Sequence, residues 1–236
     1  MEKVVGIHAV RAALTAGSGR RLVLREGRLN QRQHELQVLA ESLGIPVVRD
    51  AGLEASQDVL LETGMAGFRK EAELDVCLAE NRGSGLFLVL DGITDPRNFG
   101  ACLRSAASYG VDGVIVAKDR AAPLNEAAVK TASGGASIVP VYQVVNLGRV
   151  LNKLKTAGIW LVGTVLDEQA MPLDEIDLTG RVALVMGAEG SGIRQKTQQN
   201  CDFLAEIPTR LPDLSLNVSV ATGICLYEIH RQRIRV

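Results

Sequence analysis

Apolar residues along this chain arrive mostly in short unbroken runs, and the segments between them carry apolar residues at helical spacing. An unbroken run suits a strand covered on both faces, and helical spacing suits a helix that covers it. From residue 86 onward the runs fall at 86–90, 113–117, 138–144, 159–166, 181–186 and 203–207. Helices are expected near 98–109, 123–133, 147–157, 192–200 and 217–231. Such alternation predicts an α/β domain with a largely parallel sheet.

The first 70 residues are patterned differently. They predict a helix near 7–16, the strand Arg21 to Leu24, a helix near 30–43, the strand Ile45 to Val48 and a small helix near 53–62. The acidic stretch Glu71 to Asp75, followed by the Gly/Ser-rich Glu80 to Gly85, reads as a linker over 71–85. The chain is thereby divided into a small N-terminal domain, 1–70, and a larger one, 86–236.

Composition fits this picture. Hydrophobic residues make up 47% of the chain and aromatics only 3%, which implies a core of Val, Leu, Ile and Ala. The 26 basic and 27 acidic residues leave a net charge of -1, so bulk charge does not mark a nucleic-acid binder. The distribution says more. Residues 1–32 hold Lys3, Arg11, Arg20, Arg21, Arg25, Arg28 and Arg32 against Glu2 and Glu26, either a solvated surface or a footprint for phosphates. The four cysteines are scattered without a C-x-x-C pair, which argues against zinc and a disulfide framework. Without a signal peptide or a long apolar span, a soluble cytoplasmic protein with no membrane partner is expected.

Ligands of open parallel sheets bind at the carboxyl ends of the strands. Those ends carry Asp91, Lys118, Thr164, Gly187 and Pro208 here. Three segments near them hold candidate chemistry. In Asp95-Pro96-Arg97-Asn98-Phe99-Gly100-Ala101-Cys102-Leu103-Arg104, Asn98 is placed as a helix N-cap, with Arg104 nearly two turns further on. The reading is open between an ordinary capped helix and an amide and guanidinium facing an anionic substrate. Gly187-Ala188-Glu189-Gly190-Ser191-Gly192 lacks the dinucleotide spacing and the Lys-Ser/Thr of a phosphate loop, and Glu189 would repel pyrophosphate. Ser215 to Gly223 reads equally as a helix cap at Asn217 and Ser219 or as one wall of a ligand site.

Taken together, Asn98-x-Gly100-x-x-x-Arg104, Leu184-x-Met186-Gly187-x-Glu189-Gly190-x-Gly192 and Ser215-Leu216-Asn217-Val218-Ser219 resemble, in order and spacing, the three motifs of the SpoU/TrmH branch of SPOUT methyltransferases. The opening Gly6-Ile7-His8-Ala9-Val10 and the bipartite layout are similar to the bacterial subgroup that methylates a guanosine 2′-hydroxyl in large-subunit ribosomal RNA. The resemblance covers essentially the whole chain. It implies a parallel sheet with helices on both faces and a C-terminal trefoil knot formed near 180–220, a rare exception to ordinary chain connections. It also implies a small ribosomal-protein-like RNA-binding domain at the N-terminus, homodimers with the site near the subunit interface, ribosomal RNA as partner, and no metal. S-Adenosylmethionine would be held by Thr164, Gly187, Ile207 and Leu216. Asn98, Arg104, Glu189, Ser215 and Asn217 would form the catalytic group.

In the family scheme the motif arginine, here Arg104, helps deprotonate the ribose hydroxyl. A guanidinium stays protonated in proteins, so orienting a phosphate or lowering the hydroxyl's pKa is the sounder role. Glu189 would orient its neighbours or accept the proton through water. The chain departs from the pattern at Thr209 to Leu214, bulkier than the usual Gly-containing loop. The rival readings are a transfer-RNA methyltransferase, a non-catalytic RNA-binding protein and a dinucleotide-dependent oxidoreductase; the last is weakened by the missing glycine fingerprint.

Overall fold

A computed structural model describes residues 2–15, 17–53, 58–64, 67–80, 84–167, 170–211 and 215–234. The N-terminal region contains β1 (Glu2–Val5), α1 (Ile7–Thr15), β2 (Gly19–Arg25), α2 (Gln31–Ser42), β3 (Val47–Asp50) and β4 (Val59–Thr63). Its four strands form one sheet in the order β1-β4-β2-β3. Strand β4 runs antiparallel to both neighbours, while β2 and β3 are parallel. Leu22, Leu24, Val59 and Leu61 pack against Val10, Ala13 and Leu14 of α1 and Leu36 and Ala40 of α2. Helix α2 starts at a capping box, where Asn30 accepts from the Gln33 amide and the Gln33 side chain accepts from the Asn30 amide.

Eight strands form the second sheet: β5 (Phe68–Lys70), β6 (Leu86–Asp91), β7 (Gly113–Ala117), β8 (Val141–Val144), β9 (Trp160–Thr164), β10 (Met171–Pro172), β11 (Val182–Gly187) and β12 (Phe203–Glu206). Their order is β10-β12-β9-β11-β6-β7-β8-β5, and every neighbouring pair is parallel. Alternation along the strands separates two apolar layers. Leu86, Leu88 and Leu90 face α4 (Pro96–Ser108), α5 (Glu126–Ala132) and α9 (Val218–Arg233). Phe87 and Val89 face the opposite way, toward α3 (Glu71–Glu80) and α7 (Leu147–Thr156). The expected α/β architecture, a parallel sheet with helices on both faces, is the one observed. Two short helices, α6 (Gly135–Ile138) and α8 (Gln195–Gln198), complete the set.

Several elements differ from the sequence reading. The small helix expected near 53–62 is replaced at its end by β4, whose five residues are all buried between β1 and β2. A short apolar run carries no period that separates strand from helix. Residues 54–57 of that expected helix lie outside the described residues. The stretch read as a linker from 71 is helix α3, because Glu71 is held by Arg149 and Lys153 of α7 while Leu74 is buried; residues 81–83 lie outside the described residues. The strand expected over 138–144 begins only at Val141, after α6. The helix near 192–200 contracts to α8.

Glycine makes two close approaches possible around α4. A Cβ on Gly100 would lie 2.3 Å from the Ala128 carbonyl oxygen, so α5 presses directly on the α4 backbone. A Cβ on Gly135 would lie 2.8 Å from the Leu103 oxygen, and α6 seats itself the same way.

Candidate functional site

Helix α4 leaves the carboxyl end of β6 through Asp95, whose side chain accepts from the amides of Arg97 (2.6 Å) and Asn98 (3.2 Å). Pro96 follows at the first helical position, where its fixed φ and missing N–H suit a helix start. Asp95, and not Asn98, is therefore the N-cap. That shift releases the Asn98 amide from capping, and it turns toward the next strand end.

The segment after β11 supplies its partner. Ala188 and Gly192 exchange two backbone hydrogen bonds, 3.1 and 2.9 Å, around the turn Glu189-Gly190-Ser191. Gly190 and Gly192 have φ of +77° and +63°, a region that favours glycine. Gly187 has no room for a side chain, since a Cβ would lie 2.1 Å from the Gly192 carbonyl carbon.

Asn98 Nδ2 donates to Glu189 Oε1 at 3.1 Å. Asn217 Nδ2 donates to Asn98 Oδ1 at 3.0 Å and also to Glu189 Oε1. The Asn217 Oδ1 caps α9, accepting from the Ser219 amide (3.0 Å) and hydroxyl (2.6 Å) and the Val220 amide (3.4 Å). One residue therefore both caps α9 and joins Asn98 and Glu189. Two amides and a carboxylate from three distant segments thus meet at one corner.

Beside this corner opens a cleft of about 510 Å³ at the carboxyl ends of β9, β11 and β12. Thr164, Gly187, Ile207 and Leu216 all line it, as do Glu189 and Ser215. The Thr164 hydroxyl points back to the Val185 oxygen at 3.4 Å. Thr209 also lines the cleft, whereas Pro212, Asp213 and Leu214 of the unusual loop lie outside the described residues. Arg104 is not in the cleft wall. It is exposed on α4, and its guanidinium takes part in no hydrogen bond or ion pair among the described residues.

The sequence pattern of the SpoU rRNA Methylase family matches residues 85–227. This chain belongs to the SpoU rRNA methylase family. Among its relatives is the 23S rRNA (guanosine-2′-O-)-methyltransferase RlmB of Pseudomonas aeruginosa, 45% identical over 98% of this chain and 97% of the relative. The RlmB of Coxiella burnetii is 41% identical over 99% of this chain and 96% of its own length. The SpoU methyltransferase AviRb of Streptomyces viridochromogenes, solved in complex with AdoMet, has a TM-score of 0.69 and 26% identity, covering 99% of this chain and 91% of that one.

Two features of this SpoU chain escaped the sequence reading. The Asp95-Pro96 pair is the start signal for α4, three residues ahead of the cap expected at Asn98. Asp91, a strand end of no stated role, is wholly buried and holds Arg194, which no motif contained. Of the basic residues in 1–32, Arg11, Arg21 and Arg25 are paired with Glu35, Glu62 and Asp58, while Arg20, Arg28 and Arg32 are exposed.

Proposed function

We propose that this chain methylates the ribose 2′-hydroxyl of a guanosine in 23S ribosomal RNA, with S-adenosylmethionine as donor. The observation that carries the reading is the Asn98–Glu189–Asn217 corner at the mouth of the strand-end cleft. The cleft has the volume of a small-molecule site, about 300–1,000 Å³. Its wall mixes backbone with small and apolar residues, and Gly187 lets the Gly192–Ile193 backbone pack directly against the end of β11, which shapes that wall. These features fit the donor, with Thr164, Gly187, Ile207 and Leu216 as its holders.

When bound, the donor supplies a methyl group already activated on a sulfonium centre. The protein is then left with alignment and one proton. Alignment alone is able to supply a large share of such an acceleration. Asn98 and Asn217 fix the Glu189 carboxylate through Oε1, and Oε2 takes no hydrogen bond among the described residues. That oxygen is the acceptor for the hydroxyl proton, directly or through water. Arg104 carries a permanent positive charge, with no side-chain partner among the described residues, and stabilises the developing alkoxide or the adjoining phosphate. Ser215 lines the same mouth and orients the incoming ribose.

The same reading gives the small N-terminal domain to RNA, through Arg20, Arg28 and Arg32. It also includes a cytoplasmic homodimer and a trefoil knot near 180–220. The dimer is supported by Val220, Ile224 and Tyr227, a helical row on α9 exposed at 51, 38 and 53%.

Labelled donor offered with deproteinised 23S ribosomal RNA or with transfer RNA tests the substrate. Label is expected on a guanosine ribose of the ribosomal RNA; label on transfer RNA alone would end the proposal. Arg104→Ala is expected to lower turnover by at least about 100-fold with donor affinity retained, measured by single-turnover methylation and calorimetry.

A further inference from the structure

We propose that the Asp91–Arg194 ion pair is a positioning clasp. It holds the Gly187–Ile193 turn in the shape that receives the methyl donor and sets Glu189 against Asn98. The role in donor binding rests on the methyl-transfer reading above; the role in ordering the turn does not.

Asp91 closes β6 and is 0% exposed. A carboxylate so placed, if left alone, would be strongly unfavourable. Among the described residues, its hydrogen bonds come from Arg194: Nε donates to Oδ1 at 2.6 Å and the Arg194 amide to Oδ2 at 3.2 Å, while Nη2 makes an ion-pair contact with Oδ1. Backbone and side chain of one residue therefore grip both carboxylate oxygens, which fixes the chain direction at Arg194 as well as its side chain. Arg194 is the residue that follows the turn lining the cleft.

The geometry explains why a clasp is needed there. Gly187 is the last ladder partner of Asp91, and beyond that point β6 and β11 share no backbone hydrogen bonds. From Asp91 the chain runs to Asn98; from Gly187 it runs to Glu189. The two departing segments touch at Gly92, where a Cβ would lie 3.6 Å from that of Ala188. The ion pair ties them once more, on the far side of the turn. Asn98 and Glu189 then meet at 3.1 Å between two fixed points. Neither Asp91 nor Arg194 lines the cleft, so the pair acts through the turn and not by contact with the donor.

The test uses the full chain with Arg194→Gln and Arg194→Lys, because the Arg194 side chain is 45% exposed and both replacements keep a side-chain donor for the buried Asp91. Hydrogen exchange reads the turn without reference to activity. In Arg194→Gln the amides of Ala188 to Ile193 are expected to exchange at least about tenfold faster, with those of α4 and α9 unchanged. In steady-state methylation the KM for S-adenosylmethionine is expected to rise about tenfold and kcat to fall further, with the KM for RNA unchanged. A variant that merely folds poorly would lower the apparent kcat and leave both KM values alone. Arg194→Lys, keeping charge but losing the fork, is expected to fall between. Unchanged exchange in the turn, or a donor KM within about twofold of the parent, overturns the clasp. A parent protein that binds no S-adenosylmethionine overturns the methyl-transfer reading instead, and the exchange result still decides whether the pair orders the turn.

Discussion

Each sheet contains an ion pair joining a half-exposed arginine to a shielded carboxylate. In the four-stranded sheet Arg21 donates to both oxygens of Glu62, at 2.7 and 2.8 Å. In the eight-stranded sheet Arg194 grips Asp91. The chemistry is nearly the same, but the surroundings are not. Arg21 and Glu62 stand opposite one another on β2 and β4, strands already joined by a backbone ladder. Asp91 and Arg194 are 103 positions apart, at points where the ladder has ended. The first pair decorates a connection that exists without it. The second makes one. An ion pair therefore matters for function where the backbone has stopped holding the chain, which in a parallel sheet is beyond the strand ends where ligands bind.

The contrast is sharpened most by Gly187→Ala. The added methyl would meet backbone and not a movable side chain, so the turn must shift. Donor affinity is expected to fall by about 100-fold or more, read by calorimetry, because overpacking of this kind commonly costs about 1–3 kcal/mol or more. Asn217→Asp comes next. Aspartate caps a helix as well as asparagine does, so the thermal midpoint should hold. The new carboxylate, however, faces Glu189 and donates to neither Glu189 nor Asn98, and turnover is expected to drop about 10- to 100-fold. An equal loss of stability would make Asn217 a cap and nothing more. Arg21→Gln should do least. Donor affinity is expected within about twofold of the parent and β2–β4 amides to stay protected, as for most surface ion pairs. A large loss of donor binding there would erase the distinction between the two pairs.

Legibility from sequence followed the same division. Strands β6, β7 and β11 are buried on both faces, so Leu86 to Leu90, Gly113 to Ala117 and Val182 to Met186 stand out as apolar runs. Strand β1 has only Glu2 to Val5 at a sheet edge, and β5 only Phe68 to Lys70; neither carries enough pattern to be seen. Helix α3 reads as a linker in sequence because its acidic residues look solvated until α7 supplies Arg149 and Lys153. At the site, Asn98, Glu189 and Asn217 were legible because each sits in a motif of fixed spacing. Their mutual hydrogen bonds were not, since those depend on Asp95 taking over the cap. The Asp91–Arg194 pair left no local trace, because nothing in either segment alone calls for the other.

The corner at Asn98 also orders events in time. Its three side chains come from positions 98, 189 and 217, and the last of them begins helix α9, which packs on α4. A chain emerging from the ribosome folds its earlier parts first. Until the segment beyond Asn217 has been made and docked, the nascent protein has a sheet and a glycine turn but no such corner. Under the proposed function, the machine that synthesises this chain is built on the same kind of RNA the finished protein modifies. Under that proposal the corner would be assembled only after the segment that carries Asn217 has left that machine and docked.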